Sequence, residues 1–136
     1  MTIDPANGLV IRYSYLWARE HDRHEDAGRK TRPVCLQIIV ARAEAETIVA
    51  LFPITSQPPQ RDRAVLEIPE TEARRVGVML PAWVFVDEWN LDNLAVSSHI
   101  GDSRPLGRFS SAFMQRLRKA AAARIRAGRY RSIPRR

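Results

Sequence analysis

Apolar positions along this chain come in short blocks separated by polar stretches until about residue 110, where a different rhythm takes over. The first block, Leu9–Trp17, follows Gly8 and is rich in β-branched and aromatic residues, with alternation from Ile11 onward, which predicts a strand. Ala18–Lys30 then drops all apolar character and is dense with charge, a polar loop too long for a tight hairpin. A strand is expected over Pro33–Val40, since a proline is tolerated at a strand's first residue. Ala41–Glu46 is a polar connection, and Thr47–Ile54 reads as the partner strand. Thr55-Ser56-Gln57-Pro58-Pro59 ends it, because two prolines forbid further ladder bonding. Shorter strands follow at Ala64–Ile68, Trp83–Val86 and Leu94–Val96. Pro69–Arg74 forms a single helical turn with acids near its start.

From Ser110 the period changes to that of a helix. Phe113, Leu117, Ala121 and Ile125 recur every four residues, Ser110 or Ser111 can cap the start, and Gly128 marks the stop. Residues 129–136 read as a basic tail after a single domain spanning 1–128. Short strands joined by turns and closed by one amphipathic helix predict a mainly β fold, a small barrel with a C-terminal α-helix packed on it; there is no βαβ rhythm.

At 136 residues, 45% hydrophobic and 27% charged, the chain fits one globular domain. It has no apolar run approaching the ~20 residues of a membrane helix. Its first residues, Met1-Thr2-Ile3-Asp4-Pro5, lack the basic and apolar regions of a signal peptide. Cys35, the single cysteine, sits in an apolar run as a small core residue. A cytoplasmic protein with no membrane contact is expected.

Charge is distributed unevenly. Through Asp102 there are 11 Lys and Arg against 15 Asp and Glu; from Ser103 onward there are 11 basic residues and no acidic one. Such a segment suits nucleic-acid phosphates or an acidic partner, and it also suits a solvated helix face.

Candidate chemistry gathers around Arg32-Pro33, just before one strand, and Thr55-Ser56, just after the next. Antiparallel pairing would bring them to one end of a hairpin, setting a permanent cation beside two hydroxyl donors, an arrangement suited to a phosphate. Taken alone, Arg32 is a surface arginine at a strand mouth, and Thr55 and Ser56 cap a strand end. His24-Glu25-Asp26-Ala27-Gly28 upstream and Val84-Phe85-Val86-Asp87-Glu88 downstream complete the series.

These pieces, in this order, resemble the MazF/PemK (Kid-like) family of type II toxin–antitoxin toxins. The resemblance implies an SH3-like small barrel of the MazF/PemK/CcdB type, a homodimer, and metal-independent endoribonuclease activity on single-stranded mRNA that leaves a cyclic phosphate. No cofactor or metal is implied. Partners would be single-stranded RNA and a cognate antitoxin with an acidic segment. Arg32 corresponds to the catalytic arginine, Thr55 to the Pro-x-Thr-Ser threonine, and Asp87 to an aspartate near the scissile phosphate. Glu25 or His24 could supply the general base. Two departures stand out: Phe85 occupies the place of a second arginine, and the spacing from Gly28 to Arg32 is about two residues longer. Arg61 or Arg63 can replace the missing cation; Ser56 is a candidate for RNA contacts, and Trp17, Trp83 and Trp89 offer faces for stacking unpaired bases, an exposed Trp89 being the better candidate. Trp83 is expected in the core. The alternative is a non-catalytic RNA- or protein-binding module of the same fold. A gyrase poison would need an apolar C-terminal end, which Ser132-Ile133-Pro134-Arg135-Arg136 does not offer.

Overall fold

In the computed structural model the residues described are 7–25, 30–41, 47–101 and 104–135. The two longest apolar blocks form the sheet's spine: β2 (Arg32–Ala41) and β3 (Thr47–Thr55) pair antiparallel, with Val34 opposite Pro53 and Ala41 opposite Thr47. β1 (Leu9–Tyr13) lies along the other edge of β2, placing Tyr13 opposite Arg32. Three further strands complete this sheet region: β4 (Val65–Glu67), β5 (Trp83–Phe85) and β6 (Glu88–Asn93).

The free edge of β3 is divided between two of them. β6 pairs with Ile48–Leu51 and β5 with Ile54 and Thr55, so the partner changes across Phe52 and Pro53. That change accommodates a proline inside a central strand, because its missing N–H falls where the ladder is already interrupted. β4 extends β5, and β7 (Gly107–Arg108) extends β1. β8 (Arg131–Pro134) pairs with β6 in parallel, the one parallel ladder among the described strands. The main path runs β4-β5-β3-β2-β1-β7, and its two end strands do not pair with each other among the described residues.

Period-two alternation sorts side chains onto two buried faces. Val10, Cys35, Ala50 and Phe52 pack with Phe109, Phe113 and Leu117 on one side. Ile11, Val34, Leu36 and Leu51 pack with Tyr13, Tyr15, Trp17 and Phe85 on the other. Cys35 is buried as expected, and burial pushes its thiol pKa upward.

Two helices cover the first face. α2 (Glu70–Val76) outlasts the single turn expected and ends at Gly77, which is left-handed at φ +68. α3 (Ser111–Arg126) is capped by Ser110, whose hydroxyl accepts from the Phe113 N–H at 3.1 Å. The same hydroxyl donates to Glu72 Oε2 at 2.7 Å, and the Ser110 N–H donates to Glu72 Oε1 at 2.9 Å, tying α2 to the start of α3. Ser110→Ala removes both hydroxyl bonds, and a loss of about 1–2 kcal/mol is expected in chemical denaturation. Phe113, Met114, Leu117 and Ala121 are buried, but Ile125 is 48% exposed, so the last turn of the apolar stripe leaves the core. None of the described helices is long and apolar enough to cross a membrane.

Three local expectations are corrected. Leu94–Val96 is a turn, and the strand lies earlier, at Glu88–Asn93. The first residues of the long polar loop form α1 (Ala18–Asp22), with Glu20 Oε1 accepting from the Trp17 N–H at 3.0 Å. Half of the supposed basic tail is β8, held by the buried Ile133 and by the buried Arg135 just after it. Residues 42–46 of the expected polar connection lie outside the described residues.

Candidate phosphate-binding cleft

Antiparallel pairing brings the first residue of β2 beside the last of β3, and the ends of β5 and α1 converge on the same corner. Together with residues 128–131 they border an open cleft of ≈ 1000 Å³ lined by Trp17, Arg32, Thr55, Arg63, Phe85 and Asp87, among others. Four residues expected at the site from the sequence therefore meet in one place: Arg32, Thr55, Arg63 and Asp87.

Arg32 lies over the indole of Trp17, its guanidinium carbon 4.9 Å from the ring centre. The guanidinium of Arg19 lies 5.0 Å from the same ring. Burial, and then the charge of Arg19, lower the pKa of Arg32 from the usual arginine value. Neither arginine makes an ion pair among the described residues.

Arg63 is placed differently. Its guanidinium stands 4.5 Å from the centre of the Phe85 ring, so a cation does occupy the space beside that phenylalanine. It is already engaged, however: Nε and Nη2 donate to Asp87 at 2.8 and 2.9 Å, and Nη2 also donates to Glu88 at 2.8 Å. These acceptors raise the pKa of Arg63. Burial acts to raise Asp87, but the Arg63 fork and the Ala64 N–H outweigh it and hold the carboxyl below its usual range. In this arrangement Asp87 is an ionised charge partner and a weak proton acceptor.

Behind them Glu88 is buried and accepts from the Tyr15 hydroxyl at 2.9 Å and the Ala18 N–H at 3.0 Å. Burial, followed by the charge of Glu88, drives the Tyr15 hydroxyl pKa well upward. Glu88 is the first of a period-two series. Asn90 exchanges hydrogen bonds with the backbone of Leu16 at 2.9 and 2.8 Å, and Asp92 accepts from the Tyr13 hydroxyl at 2.7 Å. Arg135 closes the series, donating to Asn90 Oδ1 at 2.9 Å and to the Ser14 carbonyl at 2.6 Å. β6 thus presents a polar face that fixes residues 13–18, the segment that carries Trp17 and leads into Arg19.

Thr55 also shapes the turn after β3, and the remaining expected site residues lie elsewhere. Thr55 Oγ1 accepts from the Gln57 N–H at 3.0 Å, so its turn-forming role is present within the cleft wall. Ser56 and Arg61 are exposed and do not line the cleft. His24 is exposed, with φ +66, and Glu25 follows it; neither lines the cleft, and Asp26, Ala27 and Gly28 lie outside the described residues. Trp89 is corrected from exposed to buried, at 6%. Its polar neighbours Glu88 and Asn90 point the other way along β6, and its ring is stacked on Tyr130 at 5.3 Å with planes 6° apart. Tyr130, 40% exposed, is the aromatic that the cleft offers in its place. Trp83 is half-buried.

Sequence reasoning missed Trp17 as the platform for two guanidiniums, and it missed Arg19 and Tyr130. The Glu88-x-Asn90-x-Asp92 alternation was the available signal for the strand behind them. Comparison of the chain with protein-family models, curated proteins and solved structures found no match.

Proposed function

We propose that this cleft binds single-stranded RNA and cuts it without a metal, as the toxin of a MazF/PemK-like pair. The supporting observation is convergence. Arg32, Thr55, Arg63 and Asp87 come from four separate places in the chain and line one cleft. In this reading the 2′-oxygen attacks the adjacent phosphorus while the P–O5′ bond breaks, leaving a cyclic phosphate and a 5′-hydroxyl. Arg32 balances the charge on the non-bridging oxygens, and the Thr55 hydroxyl donates to one of them. Arg63 shifts its fork from Asp87 to the phosphate, and Asp87, relieved of it, takes the 2′-hydroxyl proton. The leaving 5′-oxygen takes its proton from a water in the open cleft, and Asp87 returns the 2′-hydroxyl proton to solvent, so the two transfers balance. The fold would be the SH3-like barrel of these toxins, dimeric and cytoplasmic, neutralised by an antitoxin whose acidic segment meets the arginine-rich α3 and the basic residues that follow it.

Incubation of a long single-stranded RNA with purified protein in EDTA tests this. Cuts that vanish in Arg32→Ala support it. Intact RNA with a folded wild-type protein rejects it.

A second reading, a non-catalytic RNA- or protein-binding module, draws on the closed Arg63–Asp87 pair and on His24 and Glu25 lying off the cleft. Under either RNA reading, Tyr130 stacks an unpaired base on the face not covered by Trp89. Tyr130→Ala is expected to weaken oligonucleotide binding by about 1–3 kcal/mol, with Tyr130→Phe close to wild type in the same titration.

A further inference from the structure

We infer that Arg19 is a further phosphate-binding cation of the cleft, holding the phosphate next to the one gripped by Arg32, with Trp17 as their shared platform. The inference rests on the RNA reading above and names a residue which that reading did not include.

Four observations carry it. First, both guanidinium carbons lie about 5 Å from one indole centre, so they are at most about 10 Å apart, a span that takes in successive phosphates of a single strand. Second, Arg63, the cation that stands beside Phe85, rests on two carboxylates and in the reading above turns only to the scissile phosphate, whereas Arg19 and Arg32 have no ion pair among the described residues. Third, the two arginines border both the main cleft and an adjoining recess of ≈ 140 Å³ that also includes Lys30. That recess joins three cations to a single carboxylate, Glu20, whose Oε1 is occupied by the Trp17 N–H. Fourth, the mutual repulsion is built into the fold: Trp17 is buried, α1 starts immediately after it, and Arg32 is fixed by the β1–β2 register. Two like charges brought together over one ring, Arg32 half-buried and Arg19 exposed, are relieved by an anion, and one anionic strand can relieve both.

The test uses an RNA oligonucleotide with 2′-O-methyl riboses, which cannot be cleaved, titrated in EDTA by fluorescence anisotropy at several salt concentrations. Inorganic pyrophosphate, followed by tryptophan fluorescence, is the second probe. Arg19→Gln is expected to weaken oligonucleotide binding about tenfold and to flatten the salt slope by about 0.7, one phosphate contact on a single strand. Arg32→Gln is expected to do the same, and Arg19→Lys to restore the slope, because charge at that place is what the slope counts. Oligonucleotide affinity and slope unchanged in Arg19→Gln but reduced in Arg32→Gln overturns the role of Arg19 and leaves the RNA reading standing. Failure of the wild type to bind the oligonucleotide, with pyrophosphate binding that Arg19→Gln abolishes, rejects the RNA reading and keeps the paired-arginine anion site. Binding of neither probe overturns both.

Discussion

Arg32→Ala is expected to lower RNA cleavage by about 10²–10³-fold at saturating substrate while leaving the unfolding midpoint close to wild type. The size follows from the role proposed for the guanidinium. Charge builds on the phosphate oxygens in the transition state, and a permanent, pre-positioned cation stabilises that charge without reorganising. Arg32 is pre-positioned by its place as the first residue of β2, opposite Tyr13, with Trp17 beneath it. It has no ion pair among the described residues, so truncation strands no partner and the folded state loses little. A small activity loss with a large drop in midpoint would make Arg32 a structural residue and sink its assignment to the chemistry. Single-turnover rates and thermal unfolding on the same preparations give both numbers.

Glu88→Ala is expected to show the reverse pattern, with a stability loss of about 3 kcal/mol. Glu88 is buried and collects donors from the Tyr15 hydroxyl, the Ala18 N–H and Arg63. Removing it leaves the first two without an acceptor, and each orphaned buried donor costs about 1–3 kcal/mol. Arg63 keeps Asp87 and so adds little to the loss. For a domain of this size the midpoint should fall by roughly 10 °C. Glu88→Gln, which preserves an acceptor oxygen, should fall by less. A shift in Glu88→Ala no larger than that of an exposed control such as Glu67→Ala would show that the network contributes nothing. Because the same bonds hold residues 15–18, cleft function in Glu88→Ala should decline as Trp17 and Arg19 lose their support.

The parts of this fold that were legible in the sequence are those where an apolar run or a single period stands out. The apolar runs over β2 and β3, the second ended by Pro58-Pro59, placed Arg32 and Thr55 at one end of a hairpin, and they do line one cleft. Four-residue spacing and Ser110 located α3. β6 was misread despite its alternation, because Glu88, Asn90, Asp92 and Asn93 look like a loop until Tyr13, Tyr15 and Leu16 are seen to satisfy the first three. The same composition made Trp89 look exposed, although period two puts it on the face opposite Glu88 and Asn90. α1 was missed because five residues rich in charge carry no apolar stripe; it is held by its attachment to the buried Trp17 and Glu20. Arg19 could not be singled out among so many charged neighbours, since only the folded chain shows which of them shares an indole with Arg32.

Pro53 has a further consequence, for errors of assembly. β5 and β6 meet the same edge of β3 on either side of it. Were β6 to slide two residues toward the end of β3, or β5 two residues back, its ladder would meet a residue with no hydrogen to donate. A shift by two preserves the inside–outside alternation and is otherwise the slip a sheet resists least. The proline therefore acts as a boundary marker between neighbouring strands, penalising mispaired chains before the core has packed.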